Sequence, residues 1–194
     1  MNDHASQILE IPDAIGRQMR GVSWHEDIPS PRLHELRLLR LPFVDFQGQE
    51  QVGSLITSAE LAESVVEIFA GLRAIEFPIH SIRPMIDFAG DDGLSMAANN
   101  SSCFNSRYII NSDRLSAHAQ GAAIDINPVQ NPVIRDGKYR PAEGKHYLDR
   151  GEIRPGMFVA GSAALAVVTS AGWKWGGDWD NPKDYHHFYW PGYA

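Results

Sequence analysis

A single domain of mixed strands and helices is what this chain predicts, on three observations. Its 194 residues suit one domain, and a content of 43% hydrophobic and 10% aromatic residues is enough to bury a core. Apolar residues recur at helical spacing in Leu61, Val65, Ile68, Phe69 and Leu72. Elsewhere they gather in short runs bounded by Gly, Pro and Asn, the pattern of strands.

Taken in order, residues 1–32 are polar, contain Pro12, Pro29 and Pro31, and show no sustained period. They are expected to form an N-terminal arm that wraps the domain or stays mobile, with residues 33–194 as the folded unit. Leu36-Arg37-Leu38-Leu39-Arg40-Leu41 reads as a strand, Gln47-Gly48-Gln49 as a turn, and Val52 to Thr57 as a second strand. Ser58 suits a helix N-cap, so the clearest helix is expected over 59–75. Pro78 to Arg83 is expected as a strand and Gly90 to Gly93 as a loop. Arg107-Tyr108-Ile109-Ile110 and Ala122-Ala123-Ile124-Asp125-Ile126 are strand candidates that would pair in the core. In the second of these, alternation sends Ile124 and Ile126 inward and leaves Asp125 facing a cleft. Residues 127–156, rich in Pro, Gly and charge, are expected as a long loop. Ser162 to Ser170 reads as a helix stopping at Gly172. No internal repeat or low-complexity segment interrupts this order.

Bulk properties remove several function classes. A net charge of −7 argues against general nucleic-acid binding. One cysteine, Cys103, excludes an internal disulfide framework and a Cys-rich structural metal site. No apolar run reaches the roughly 18 residues of a membrane span. The opening Met-Asn-Asp-His-Ala-Ser-Gln lacks a basic start followed by an apolar stretch, so no signal peptide is expected.

Two stretches carry the chemistry. Ser116-Ala117-His118-Ala119-Gln120-Gly121-Ala122-Ala123-Ile124-Asp125 and Lys183-Asp184-Tyr185-His186-His187-Phe188 supply imidazoles and carboxylates of the kind a catalytic zinc takes. Such an ion uses three protein ligands and keeps a fourth position open for water, while a spare carboxylate accepts the water's proton. His118 with Asp125 is a weak signal alone. Asp125 nevertheless lies between isoleucines, where an uncompensated carboxylate is costly to bury. The small Gly121, Ala122 and Ala123 would let backbone approach whatever the two hold. Asp184 and His187, three residues apart, would share one face of a helical turn, one binding metal and the other taking the proton. The competing reading is that residues 185–190 form an aromatic core strand with incidental histidines. The spacing from Asp184 and the following Phe188 favour His187 over His186 as the ligand, which leaves His186 as a supporting or substrate contact. Arg107 enters an apolar run and needs an anionic partner, which a substrate carboxylate or a developing oxyanion would provide. Cys103 is expected to pack rather than react. Of Trp173, Trp175 and Trp179, two are expected in the core and one in a substrate-binding wall.

These motifs, Ser116-x-His118-x-x-Gly121-x-Ala123-x-Asp125, Trp175-Gly176-Gly177-x-Trp179 and Asp184-x-x-His187-Phe188, resemble those of the VanY-like zinc peptidases. That family includes D-alanyl-D-alanine carboxypeptidases and L-alanyl-D-glutamate endopeptidases of phage lysins. The run Ser95 to Arg107 looks like the family's arginine-bearing motif, so the likeness covers roughly residues 35–190. The resemblance implies a small single-domain α+β fold of the hedgehog/DD-peptidase type. Its mostly antiparallel sheet would carry packed helices and a zinc cleft. One Zn2+ would be held by His118, Asp125 and His187, with Asp184 as the catalytic acid/base and Arg107 steadying the substrate carbonyl or oxyanion. Ser116 and His186 are expected to touch substrate. One departure is that the base is Asp here, where the dipeptidase branch has Glu. The implied activity is cleavage of peptidoglycan stem peptides at the cell wall by a monomer, foremost as a D-alanyl-D-alanine carboxypeptidase. The alternatives are an L-alanyl-D-glutamate endopeptidase or a catalytically silent zinc-binding module.

Overall fold

The computed structural model describes residues 5–193. In chain order come β1 (Gln7–Glu10), α1 (Asp13–Met19), β2 (Leu36–Val44), β3 (Glu50–Ser58), α2 (Ala62–Ala74) and β4 (Ser81–Ile82). Then follow α3 (Asp92–Ala97), β5 (Asn100–Ser101), β6 (Ala123–Asp125), β7 (Val133–Arg135) and β8 (Lys138–Arg140). The chain closes with α4 (Ala163–Ser170), β9 (Lys174–Trp175), β10 (Lys183–Asp184) and β11 (His187–Tyr189). This is a small α+β domain. There are three antiparallel sheets, ordered β1-β2-β3, β6-β11-β9 and β10-β7-β8, and a separate parallel pair, β4-β5. Among the described residues, no helix is long and apolar enough to cross a membrane.

Nearly continuous apolar sequence in β2 means that it buries both faces. Leu39, Leu41 and Phe43 point one way, with Leu55 of β3, onto Val65, Ile68, Phe69 and Leu72 of α2. The same cluster takes in Ile124 and Ile126 around β6, Phe188 of β11, and Phe158, Trp173 and Trp175. Leu36 and Leu38 point the other way and meet Met19 of α1, Ile56 and Phe104. The N-terminal residues therefore contribute buried contacts. β1 pairs along the edge of β2, with Gln7 opposite Arg40 and Glu10 opposite Arg37. Farther along, Ser106 N donates to the Ser23 carbonyl at 2.9 Å.

Several expectations shift. The helix expected over 59–75 starts as a 3-10 turn, Ala59–Leu61, before α2, and the Ser58 side chain makes no capping bond. The strand expected from Pro78 shortens to β4. Where Gly90 to Gly93 was expected as a loop, Asp91 caps α3 by accepting from Leu94 N at 3.0 Å. Arg107 to Ile110 is not a core strand. Tyr108 forms a single bridge to Leu115, while Ile110 is 66% exposed. Nor is 127–156 a structureless loop, because β7 and β8 form a hairpin inside it and a 3-10 turn, Ala142–Tyr147, follows. β10 adds to that hairpin, Asp184 opposite Val133, and so ties the insert to the Asp184 segment.

Truncating the wholly buried Met19 to alanine is expected to cost about 2–5 kcal/mol of stability. Urea unfolding checks it, and a change of a few tenths would show that α1 is not packed as described.

Candidate metal centre

Three donor groups from three backbone contexts converge. His118 sits in the 3-10 turn Ala117–Gln120, which Ser116 caps by accepting from His118 N at 3.3 Å. The His118 ring is buried, and its Nδ1–H donates to the Cys103 carbonyl at 2.6 Å. That bond sets the tautomer and leaves the Nε2 lone pair facing inward, the arrangement a metal-bound imidazole uses. Asp125 ends β6, and β11 lies antiparallel with His187 directly opposite it. Cross-strand partners share a face, so the wholly buried Ile124 and Ile126 go into the core while Asp125 and His187 turn to the other side. The ladder extends past both, with Ile126 N donating to His186 O at 3.0 Å and Trp190 N to Ala122 O at 2.9 Å.

The separations are short. His118 Nε2 lies 3.2 Å from Asp125 Oδ1 and 3.2 Å from His187 Nδ1, and His187 Nδ1 lies 2.9 Å from Asp125 Oδ1. A tetrahedral ion with bonds of about 2.0–2.1 Å needs its ligand atoms about 3.3 Å apart. His118, Asp125 and His187 are thus a group that can hold a metal ion. Charge couples the members of the trio, and an ion bound there would have to displace a proton from the His118 ring. Burial opposes charge on the His118 ring, but the Asp125 carboxylate outweighs it and raises the His118 pKa. Burial likewise opposes charge on Asp125, yet His118 and His186 beside it hold its carboxyl well below the ordinary value. A buried carboxylate is kept ionised here, as ligation requires.

Around this trio stand the other expected residues. Asp184 is on extended β10 and His187 on extended β11, so no helical turn joins them. The aromatic strand forms, and it still delivers His187 to the cluster. Asp184 Oδ1 is buried without a hydrogen-bond partner among the described residues. Gly176 makes room beneath it, since a Cβ there would meet the Asp184 carbonyl at 2.7 Å. His186 is buried behind the cluster, its Nε2 3.2 Å from Asp184 Oδ1 and 3.8 Å from Asp125 Oδ2. Burial opposes its charge as well, but Asp184 and then Asp125 raise its pKa. Ser116, buried and engaged in its cap, faces the backbone of the His118 turn. Trp173 and Trp175 are core residues, whereas Trp179 lies 5.4 Å from the His187 ring and donates through Nε1 to Tyr189 Oη.

Arg107 has its anionic partner within the chain. Its Nε ion-pairs with Asp92 of α3, whose carboxylate also accepts from Asn105 at 3.0 Å. Arg107 and Asp92 are near enough to influence the His118 charge, in opposite senses. Asp92 had no signature in the sequence, being one acid in an acidic stretch. The small residues after His118 serve packing instead of the site. Gly121 is in the left-handed region at φ +62°, and a Cβ there would meet Ser58 N at 2.5 Å. Thr57 Oγ1 donates to its carbonyl at 2.8 Å.

Residues 110–190 match a family model described as D-alanyl-D-alanine carboxypeptidase. The match bears out the VanY-like likeness over a stretch that contains His118, Asp125, Asp184 and His187, and it begins just after Arg107. It supports a hydrolase of the peptidase type. No curated protein and no solved structure matches the chain.

Cys103 lies among these residues without joining them. Burial pushes its thiol up to about 12. At neutral pH the native protein is therefore expected to resist iodoacetamide and to alkylate only once unfolded, as mass spectrometry would show. Rapid alkylation of the folded chain would contradict this burial.

Proposed function

We propose that this chain is a zinc-dependent peptidase that removes the terminal D-alanine from peptidoglycan stem peptides. The observation that carries the reading is the trio of nitrogen and oxygen donors held 2.9–3.2 Å apart, near a buried carboxylate oxygen with no hydrogen-bond partner among the described residues. Residues 110–190 add the chemical class of the substrate, through the D-alanyl-D-alanine carboxypeptidase family whose model they match. His118 Nε2, Asp125 Oδ1 and His187 Nδ1 would hold the ion. Zinc bound there would supply an acidified water and polarise the scissile carbonyl.

The remaining steps belong to the side chains. Asp184 Oδ1 accepts the proton of the attacking water and passes it to the departing amine, which leaves as free D-alanine. Its burial keeps bulk water from competing for that proton. Arg107, steadied through Nε by Asp92, offers its remaining N–H groups to the carbonyl oxygen as negative charge develops there. Trp179 and Tyr189 wall the side next to His187 and bound the space for the peptide. Residues 33–194 form the catalytic domain in this reading, with 1–32 an arm whose described part, from residue 5, is bound to it through β1 and the Ser23–Ser106 contact.

Asp184→Ala is expected to keep about one zinc per chain and to lose about 100- to 10,000-fold in kcat. Metal analysis with chromatography of digested muropeptides checks both. Full turnover in the variant would remove Asp184 from the role, and released stem peptide in place of free alanine would make the enzyme an endopeptidase.

A further inference from the structure

Resting on the proposed peptidase reading, we infer that His186 is a positioning residue for Asp184. It is the inner end of a strut that runs through Asn131 to Arg150. Three facts combine. Asp184 Oδ1 is buried with no hydrogen-bond partner among the described residues, and the imidazole of His186 stands 3.2 Å away. That imidazole is itself held, because its Nδ1–H donates to the Asn131 carbonyl at 2.7 Å. Nε2 is thereby the atom turned toward the two carboxylates, 3.2 Å from Asp184 and 3.8 Å from Asp125.

Asn131 is rigid for a visible reason. Wholly buried, it donates through Nδ2 to the carbonyls of Ile126, Asn127 and Gly156, and its Oδ1 accepts from Phe158 N at 2.7 Å. The same Oδ1 accepts from Arg150 Nη2 at 3.1 Å. Arg150 spends its other bonds on the carbonyls of Gln130, Tyr147 and Phe158, and its guanidinium lies 4.3 Å over the ring of Tyr185. Tyr185 is the residue between Asp184 and His186. The strut thus holds the Asp184–His187 segment at Tyr185 and at His186, and its inner end faces Asp125 as well as Asp184. Its consequence is an Asp184 carboxylate aimed before substrate arrives, the condition for efficient proton transfer.

Amide side chains separate the two ends of the ring. His186→Gln places an N–H near the position of Nε2, and His186→Asn places one near Nδ1. The asparagine variant is expected to lose about 100-fold in kcat with KM within about threefold, the order expected when a reacting group is misplaced by about 1 Å. The glutamine variant is expected to recover most of that loss, and both should bind one zinc per chain. A second readout needs neither zinc nor activity. In the metal-free protein, the His186 Nε2 resonance is expected to shift on Asp184→Asn while the Nδ1–H stays protected from exchange. Equal turnover in the asparagine variant and the parent, or an Nε2 resonance indifferent to Asp184→Asn, would overturn the assignment. A parent protein inert on every muropeptide would instead defeat the peptidase reading, and the resonance shift would then decide alone whether His186 orients Asp184.

Discussion

A buried carboxylate that must be compensated organises this molecule. Asp125 is placed by β6, whose neighbours Ile124 and Ile126 are wholly buried, so the strand cannot turn over without exposing both. Its charge is then met by imidazoles, from His187 across the ladder, from His118 on the adjoining turn and from His186 behind. Two imidazole nitrogens 3.2 Å apart over one carboxylate oxygen make a strained proton arrangement. The same three atoms form a relaxed coordination shell. That asymmetry is the physical reason to read the cluster as a metal centre and not as a salt-bridge network.

The supporting architecture answers to the same demand. The Cys103 carbonyl fixes the His118 tautomer, and the bridge between Ser102 and Asp125 brings that carbonyl within reach. The left-handed turn at Gly121 lets the His118 segment lie directly on β3. α2 seals the far face of β2 and β3, so the site rests on a packed base. The insert is bound to the same frame, through β7 against β10 and through Asn131 against His186. Residues that would read as a peripheral loop therefore bear on the orientation of the proposed proton carrier.

What the sequence disclosed followed from local physics. β2, β3 and α4 show in their runs of apolar residues, although Ser162, expected inside α4, is its cap, and the alternation around Asp125 foretells which way its side chain points. The motifs group His118, Asp125 and His187 through the family likeness they carry, since the spacing of His118 and Asp125 alone is a weak signal. Failures came where long-range pairing decides the outcome. Asp184 and His187 look like a helical i,i+3 pair, but pairing with β7 and β6 draws both into strands. Arg107 needs an anion, and only the folded chain shows that Asp92 supplies one. Asn131 and Arg150 carry no motif at all. Their importance lies in carbonyls and rings that reach them from up to 55 residues away.

X-ray absorption at the zinc edge, on protein purified without chelators, bears most directly on the central claim. About one zinc per chain is expected, with a shell of nitrogen and oxygen near 2.0–2.1 Å, the outer-shell scattering of two imidazoles and no sulfur near 2.3 Å. His118→Ala should remove one imidazole from that signal. A protein devoid of zinc, or a spectrum unchanged by the substitution, would contradict the account.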